Sequence, residues 1–69
     1  MRKVIDEIAN GRLWMELAAG LTIWHVEELD ERGDIVRSTA VSDSKKAKAE
    51  WNKLKSKRPA WVAEKGVGA

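Results

Sequence analysis

Asp30-Glu31-Arg32-Gly33 interrupts an otherwise alternating run of apolar and polar residues, and this turn limits what the chain can become. Aspartate at the first turn position accepts hydrogen bonds from nearby backbone N–H groups, and glycine at the last tolerates a positive φ. The flanking segments, Leu21–Leu29 and Asp34–Val41, are rich in β-branched and aromatic residues, so the stretch reads as a β-hairpin. A three-residue loop with a Gly bulge pairs Leu29 with Ile35, Glu27 with Arg37, His25 with Thr39 and Ile23 with Val41. Opposite charges then face each other at Glu27 and Arg37, while Trp24, Val26, Val36 and Ala40 share the other face.

The preceding segment supports the same sheet. Arg12–Ala18 alternates, with Leu13, Met15 and Leu17 on one side and Trp14, Glu16 and Ala18 on the other. A tight connection at Ala19-Gly20 places Ala18 opposite Leu21, Met15 opposite Trp24 and Leu13 opposite Val26. Both registers gather their apolar residues on one face, which predicts a three-stranded antiparallel meander. A helix from Leu13 to Ala19, stopped by Gly20, is the competing reading. Upstream, Val4, Ile5, Ile8 and Ala9 fall at helical spacing, Asp6 and Glu7 suit a first turn, and Asn10-Gly11 is a stop signal. A short N-terminal helix is therefore expected over a hairpin with Asn10-Gly11 as its type I′ turn, because the adjacent Val4 and Ile5 break the alternation.

Downstream, Ser42-Asp43-Ser44 offers three possible N-caps for a basic amphipathic helix. Ala47, Trp51 and Leu54 stand at i, i+4 and i+7, and the aliphatic stem of Arg58 extends that stripe toward Pro59. Lys45, Lys48 and Lys55 flank one side of it; Lys46, Lys53 and Lys57 flank the other. Beyond Pro59 a short turn carries Trp61 and Val62, and Gly66–Ala69 reads as a flexible tail. The expected fold class is α+β: a short N-terminal helix, a three-stranded meander, and a basic C-terminal helix packed on one sheet face. One domain spans residues 1–65.

A chain of 69 residues sits near the lower limit for unaided folding, with about 3–5 kcal/mol of net stability from its core. With no cysteine to add a cross-link, the four tryptophans must matter individually. The net charge of +2 hides a division: residues 1–36 hold four bases against eight acids, and residues 37–69 nine bases against three acids. A C-terminal half this basic suits an anionic partner. Neither a signal peptide nor a membrane span is apparent, so a cytoplasmic protein without membrane attachment is expected.

Catalysis finds little support. His25 is the single histidine and cysteine is absent, so neither a metal set nor a nucleophile–base pair suggests itself, and no cofactor is expected. The acidic residues around Asp30 lack the order of a calcium loop and suit a solvated hairpin tip. The start of the basic helix is more informative. Ser44, Lys45 and Lys46 lie where free N–H groups and the helix dipole already attract anions, an arrangement suited to phosphate. Strand–strand–strand–helix order preceded by a helix, with Ser44-Lys45-Lys46-Ala47-Lys48 opening the last element, is similar to double-stranded-RNA-binding domains. That resemblance implies phosphate contacts from these lysines, although Ala18–Leu21 is too short for the minor-groove loop of those domains. Away from the helix, Trp14 and His25 would stand on an open sheet face with Leu21, Ile23 and Val41, beside Arg37 paired to Glu27, as a surface for a macromolecular partner or a homodimer.

The expectation is a small non-enzymatic regulatory or inhibitory binding protein, of the phage or mobile-element accessory type, that docks on nucleic-acid-handling machinery. Ser44, Lys45, Lys46, Lys48, Lys53 and Lys55, with Trp14, His25 and Arg37, are its candidate binding residues. Direct, phosphate-led binding of nucleic acid is the alternative.

Overall fold

The computed structural model describes residues 1–57 and 59–65. Four strands, β1 (Arg2–Ile8), β2 (Gly11–Ala18), β3 (Leu21–Leu29) and β4 (Ile35–Val41), form one antiparallel sheet in chain order. Helix α1 (Ser44–Ser56) packs across β3, β4 and β2, and a short helix α2 (Ala60–Lys65) follows. The α+β class and the helix-on-sheet arrangement are as expected; the sheet has one strand more. Among the described residues no helix is long and apolar enough to cross a membrane. The expected packing of the Arg58 stem and the expected tail over 66–69 fall outside the described residues.

The extra strand replaces the expected N-terminal helix. A helical segment of so few residues cannot offset its own nucleation cost, whereas pairing with β2 supplies ladder hydrogen bonds to β-branched Val4, Ile5 and Ile8. The break in alternation at Val4-Ile5 is a β-bulge: Val4 pairs with Trp14 and Asp6 with Leu13, leaving Ile5 as the extra residue. The connection is Ala9-Asn10, with Ile8 opposite Gly11, one residue earlier than an Asn10-Gly11 turn. Because the chain opens with a strand, the helix-first order shared with double-stranded-RNA-binding domains is absent.

The β2–β3 hairpin has the expected register throughout, pairing Ala18 with Leu21, Met15 with Trp24 and Leu13 with Val26. Its two turn residues, Ala19 (φ 52°) and Gly20 (φ 77°), both have positive φ, as a type I′ turn requires. At the next turn the Asp30 side chain accepts from the backbone N–H groups of Arg32 and Asp34, each at 2.9 Å. Leu29 pairs with Ile35 as expected, but Glu28 then pairs with Arg37, so Val36 is a second bulge. One added residue inverts the rest of β4. Glu27 lies opposite Ser38 rather than Arg37, and His25 opposite Ala40 rather than Thr39. Arg37, Thr39 and Val41 therefore share the face of Val26 and Trp24, while Ala40 joins His25 on the other.

The core is small and one-sided. Leu13 and Val26 from the sheet meet Trp51 and Leu54 from α1, all buried, with Ile8 packed at the margin. Ala47 is buried one turn before Trp51, so the stripe read at i, i+4 and i+7 faces the sheet. The Trp51 indole Nε1–H donates to Asp6 Oδ2 at 3.1 Å, which ties β1 to the helix. At the other end of α1, Leu54 passes so near Gly11 that a Cβ there would lie 2.5 Å from Leu54 Cδ2. Buried Asn10 caps this contact by donating from Nδ2 to the Lys57 carbonyl at 3.4 Å.

Two stability measurements follow from this arrangement. Trp51→Ala removes the largest core side chain and should cost about 3–5 kcal/mol, enough to unfold a domain of this size in a thermal or urea melt. Ala19→Asn places a residue tolerant of the left-handed region in the type I′ turn and should stabilise by about 0.5–1 kcal/mol in the same melts.

Candidate nucleic-acid interface

The charge of α1 is arranged by its burial. Once Ala47, Trp51 and Leu54 face the sheet, the rotation of about 100° per residue fixes the rest. Lys46, Lys53 and Lys57 run along one flank and Lys48 and Lys55 along the other, while Lys45 falls nearly opposite the stripe. Between these rows, opposite the buried stripe, lie Ala49, Asn52 and Ser56, small exposed residues that make a low crest. Among the described residues, Lys45, Lys46, Lys48 and Lys55 form no ion pair. Lys53 lies 4.0 Å from Glu50, and Lys57 lies 3.8 Å from Glu28. Both lysines are largely exposed, so each pair contributes little to stability.

Asp43 is the residue that caps α1, out of the three that could. Its Oδ1 accepts the Lys45 N–H at 2.8 Å, and its carbonyl accepts the Ala47 N–H at 3.0 Å. The first turn thus already holds a carboxylate where the sequence suggested a phosphate, with Ser44 as the first helical residue. Lys45 and Lys46 stand in that first turn as exposed cations. Lys53 and Lys55 stand in the last turn, where the dipole favours positive charge.

The bulge at Val36 adds a cation to this side. Arg37, expected beside Glu27 on the open face, instead lines a groove between the sheet and α1 with Glu28, Thr39, Glu50, Lys53 and Lys57. Arg37 is exposed and, among the described residues, unpaired. Seven of the nine candidate binding residues, all but Trp14 and His25, therefore lie on the helix side of the sheet.

Trp14 and His25 are brought together on the opposite face. Their rings stack with centroids 3.9 Å apart and planes 7° from parallel. The Arg2 guanidinium lies 5.2 Å from the Trp14 centroid, and Glu16 approaches both Arg2 and His25 at 3.5 Å. The His25 Nε2 is buried and lacks a hydrogen bond. Next to this cluster runs a second row, Glu7, Arg12 and Glu27. Arg12 Nε donates to Glu7 Oε2 at 3.1 Å, and its Nη1 lies 3.8 Å from Glu27 Oε1. Glu27 is 7% exposed, and its Oε1 has no hydrogen-bond partner. Arg2, Arg12 and Glu27 were not among the residues expected at a site. The signal for the last two was present, since the register that pairs Leu13 with Val26 also sets Arg12 opposite Glu27. Val41 leaves this face, while Leu21 and Ile23 remain on it.

Among the described residues no cluster of His, Cys, Asp or Glu is able to hold a metal ion. Compared with known proteins, the chain has no significant match to a family model, a curated protein or a solved structure.

The capping geometry makes a direct prediction about stability. Lys45→Gln with Lys46→Gln removes cations from the positive end of the dipole and should leave the melting temperature unchanged or slightly higher. Asp43→Ala removes the cap and should cost about 1 kcal/mol by denaturant titration.

Proposed function

We propose that this protein is a non-enzymatic binding module that engages double-stranded DNA through the outer side of α1, by phosphate contacts first. The observation that carries this reading is the pair of exposed lysine rows, one on each side of the Ala49–Asn52–Ser56 crest. A helix about 10–12 Å across enters a major groove about 12 Å wide, and cations on both flanks then meet the phosphates of both strands. The deep, narrow major groove of A-form RNA does not admit such an element. Asn52, on the crest, carries an amide of the kind that reads adenine edges. The opposite sheet face carries Glu7, Glu16 and Glu27 against Arg2 and Arg12, so polyanion attraction favours the helix side. Such a module serves a regulatory or inhibitory role in nucleic-acid-handling machinery.

A second reading, docking on a protein of that machinery, draws on the β2–β3 hairpin tip. There Leu17 and Leu21 are exposed near Met1, an apolar end beyond the reach of the small core.

Titration of labelled duplex DNA at several salt concentrations separates the two. If α1 neutralises about four to six phosphates, the slope of log K against log salt should be about −3.5 to −5.5. Lys46→Gln with Lys53→Gln, and separately Lys48→Gln with Lys55→Gln, should each make that slope shallower by about 2. Arg32→Gln, on the far hairpin tip, should leave it unchanged. Absence of duplex binding at low salt would remove the DNA reading and leave the protein-directed one.

A further inference from the structure

The open face of the sheet holds a cleft of about 270 Å³ whose walls include Arg2, Val4, Arg12, Trp14, Glu27 and Ile35. It is separate from α1 and plays no part in the DNA reading above. Its central feature is Glu27, with a side chain only 10% exposed and a buried Oε1 to which nothing donates. Arg12 supplies charge from 3.8 Å but no hydrogen bond at that distance, and its Nε is committed to Glu7. A buried carboxylate oxygen without a donor costs free energy that a ligand N–H would recover.

The surroundings narrow the ligand. Arg2, Lys3 and Arg12 against the one carboxylate of Glu27 make the lining net positive, which disfavours a simple organic cation. A simple anion would be repelled by Glu27 and would leave its Oε1 unsatisfied. A ligand with an N–H edge at one end and an anionic group at the other satisfies both. Val4, Ile35 and the Trp14 indole, which stacks on His25, provide the apolar surface that a flat ring requires. The space suits one ring system and is below the usual size of a drug-sized pocket. Arg2, with a side chain 74% exposed, is held only by its exposed pair with Glu16 and its place over Trp14, contacts weak enough to exchange for a phosphate.

We infer that this cleft binds a guanine nucleotide, with the base edge on Glu27 and the phosphate on Arg2 and Arg12. Guanine presents two adjacent donors, N1–H and the 2-amino group, matched to a carboxylate. Adenine and cytosine each offer an amino group beside a ring-nitrogen acceptor, and uracil flanks its single N–H with two carbonyls, so each sets a lone pair against Glu27. Glu7 and Glu16 pair with the lining residues Arg12 and Arg2, and these carboxylates favour one nucleotide over a tracked backbone.

Calorimetric titration of the full chain with 5′-GMP, IMP, AMP and guanosine tests this. GMP should bind about tenfold or more tighter than AMP, with IMP, which lacks the 2-amino donor, in between. Guanosine should bind more weakly than GMP. Glu27→Gln should bring GMP down to the affinity of AMP, whereas Lys45→Gln with Lys46→Gln should leave GMP binding unchanged even if DNA binding is lost. Displacement of GMP by a thymidine tract containing one guanine would identify an unpaired base in a strand as the source of the ligand. Failure to displace it would identify the free nucleotide. Equal affinities for GMP and AMP, no GMP binding at millimolar concentration, or a GMP preference that survives in folded Glu27→Gln would each overturn the assignment. Should Glu27→Gln not fold, the order GMP, IMP, AMP in the unmodified chain decides alone.

Discussion

The seating of Trp51 on Leu13 and Val26 is the contact on which the other parts depend. A sheet of four strands with one helix has a single buried face, and this chain has few large apolar groups to fill it. Trp51 supplies the largest single share of that volume and also reaches Asp6 through its indole N–H, so one side chain joins the helix to both the centre and the edge of the sheet. Leu54 and Gly11 close the other end at a distance that admits no side chain on Gly11. Rotation of α1 about its axis is thereby fixed, and the two lysine rows inherit their positions from the core rather than from any contact of their own. Electrostatic function on this helix is a consequence of apolar packing on its reverse side.

The two sheet faces are chemically distinct. One carries the helix and, with Arg37, most of the cations that form no ion pair among the described residues. The other pairs its charges internally, in the rows Glu7–Arg12–Glu27 and Arg2–Glu16–His25, around a stacked aromatic pair. Screening by salt acts strongly on the exposed lysines and on the exposed Arg2 and Glu7, and weakly on buried Glu27.

Much of this was legible in the sequence where the period was clean. The β2–β3 register follows from strict alternation across a two-residue turn, and α1 follows from the spacing of Ala47, Trp51 and Leu54. The failures share one cause. Val4-Ile5 looked helical because adjacent β-branched residues break a period of two, yet a bulge breaks it in the same way. Val36 left no such mark, because Ile35, Val36 and Arg37 are compatible with either register. Its effect was to send Arg37 to the opposite face from the one read, and Val41 and Ala40 with it. Pairing energies decide which residue is looped out, and a single sequence does not display them. For the site, the helix lysines were legible from composition and spacing. The buried state of Glu27 was not, since it depends on neighbours from three strands.

Both bulges lie on the outer strands of the sheet, Ile5 on β1 and Val36 on β4, while β2 and β3 pair with each other without interruption. An outer strand offers a row of unpaired N–H and C=O groups to any passing chain, and β4, with Arg37 as its one charge, has little else to deter one. An added residue bends the strand and spoils the regular spacing that a foreign strand would need. The same residue that turns Arg37 toward the helix thus also guards the border of the sheet against open-ended stacking. One looped-out residue in β4 couples the shape of the sheet border to the side on which Arg37 lies.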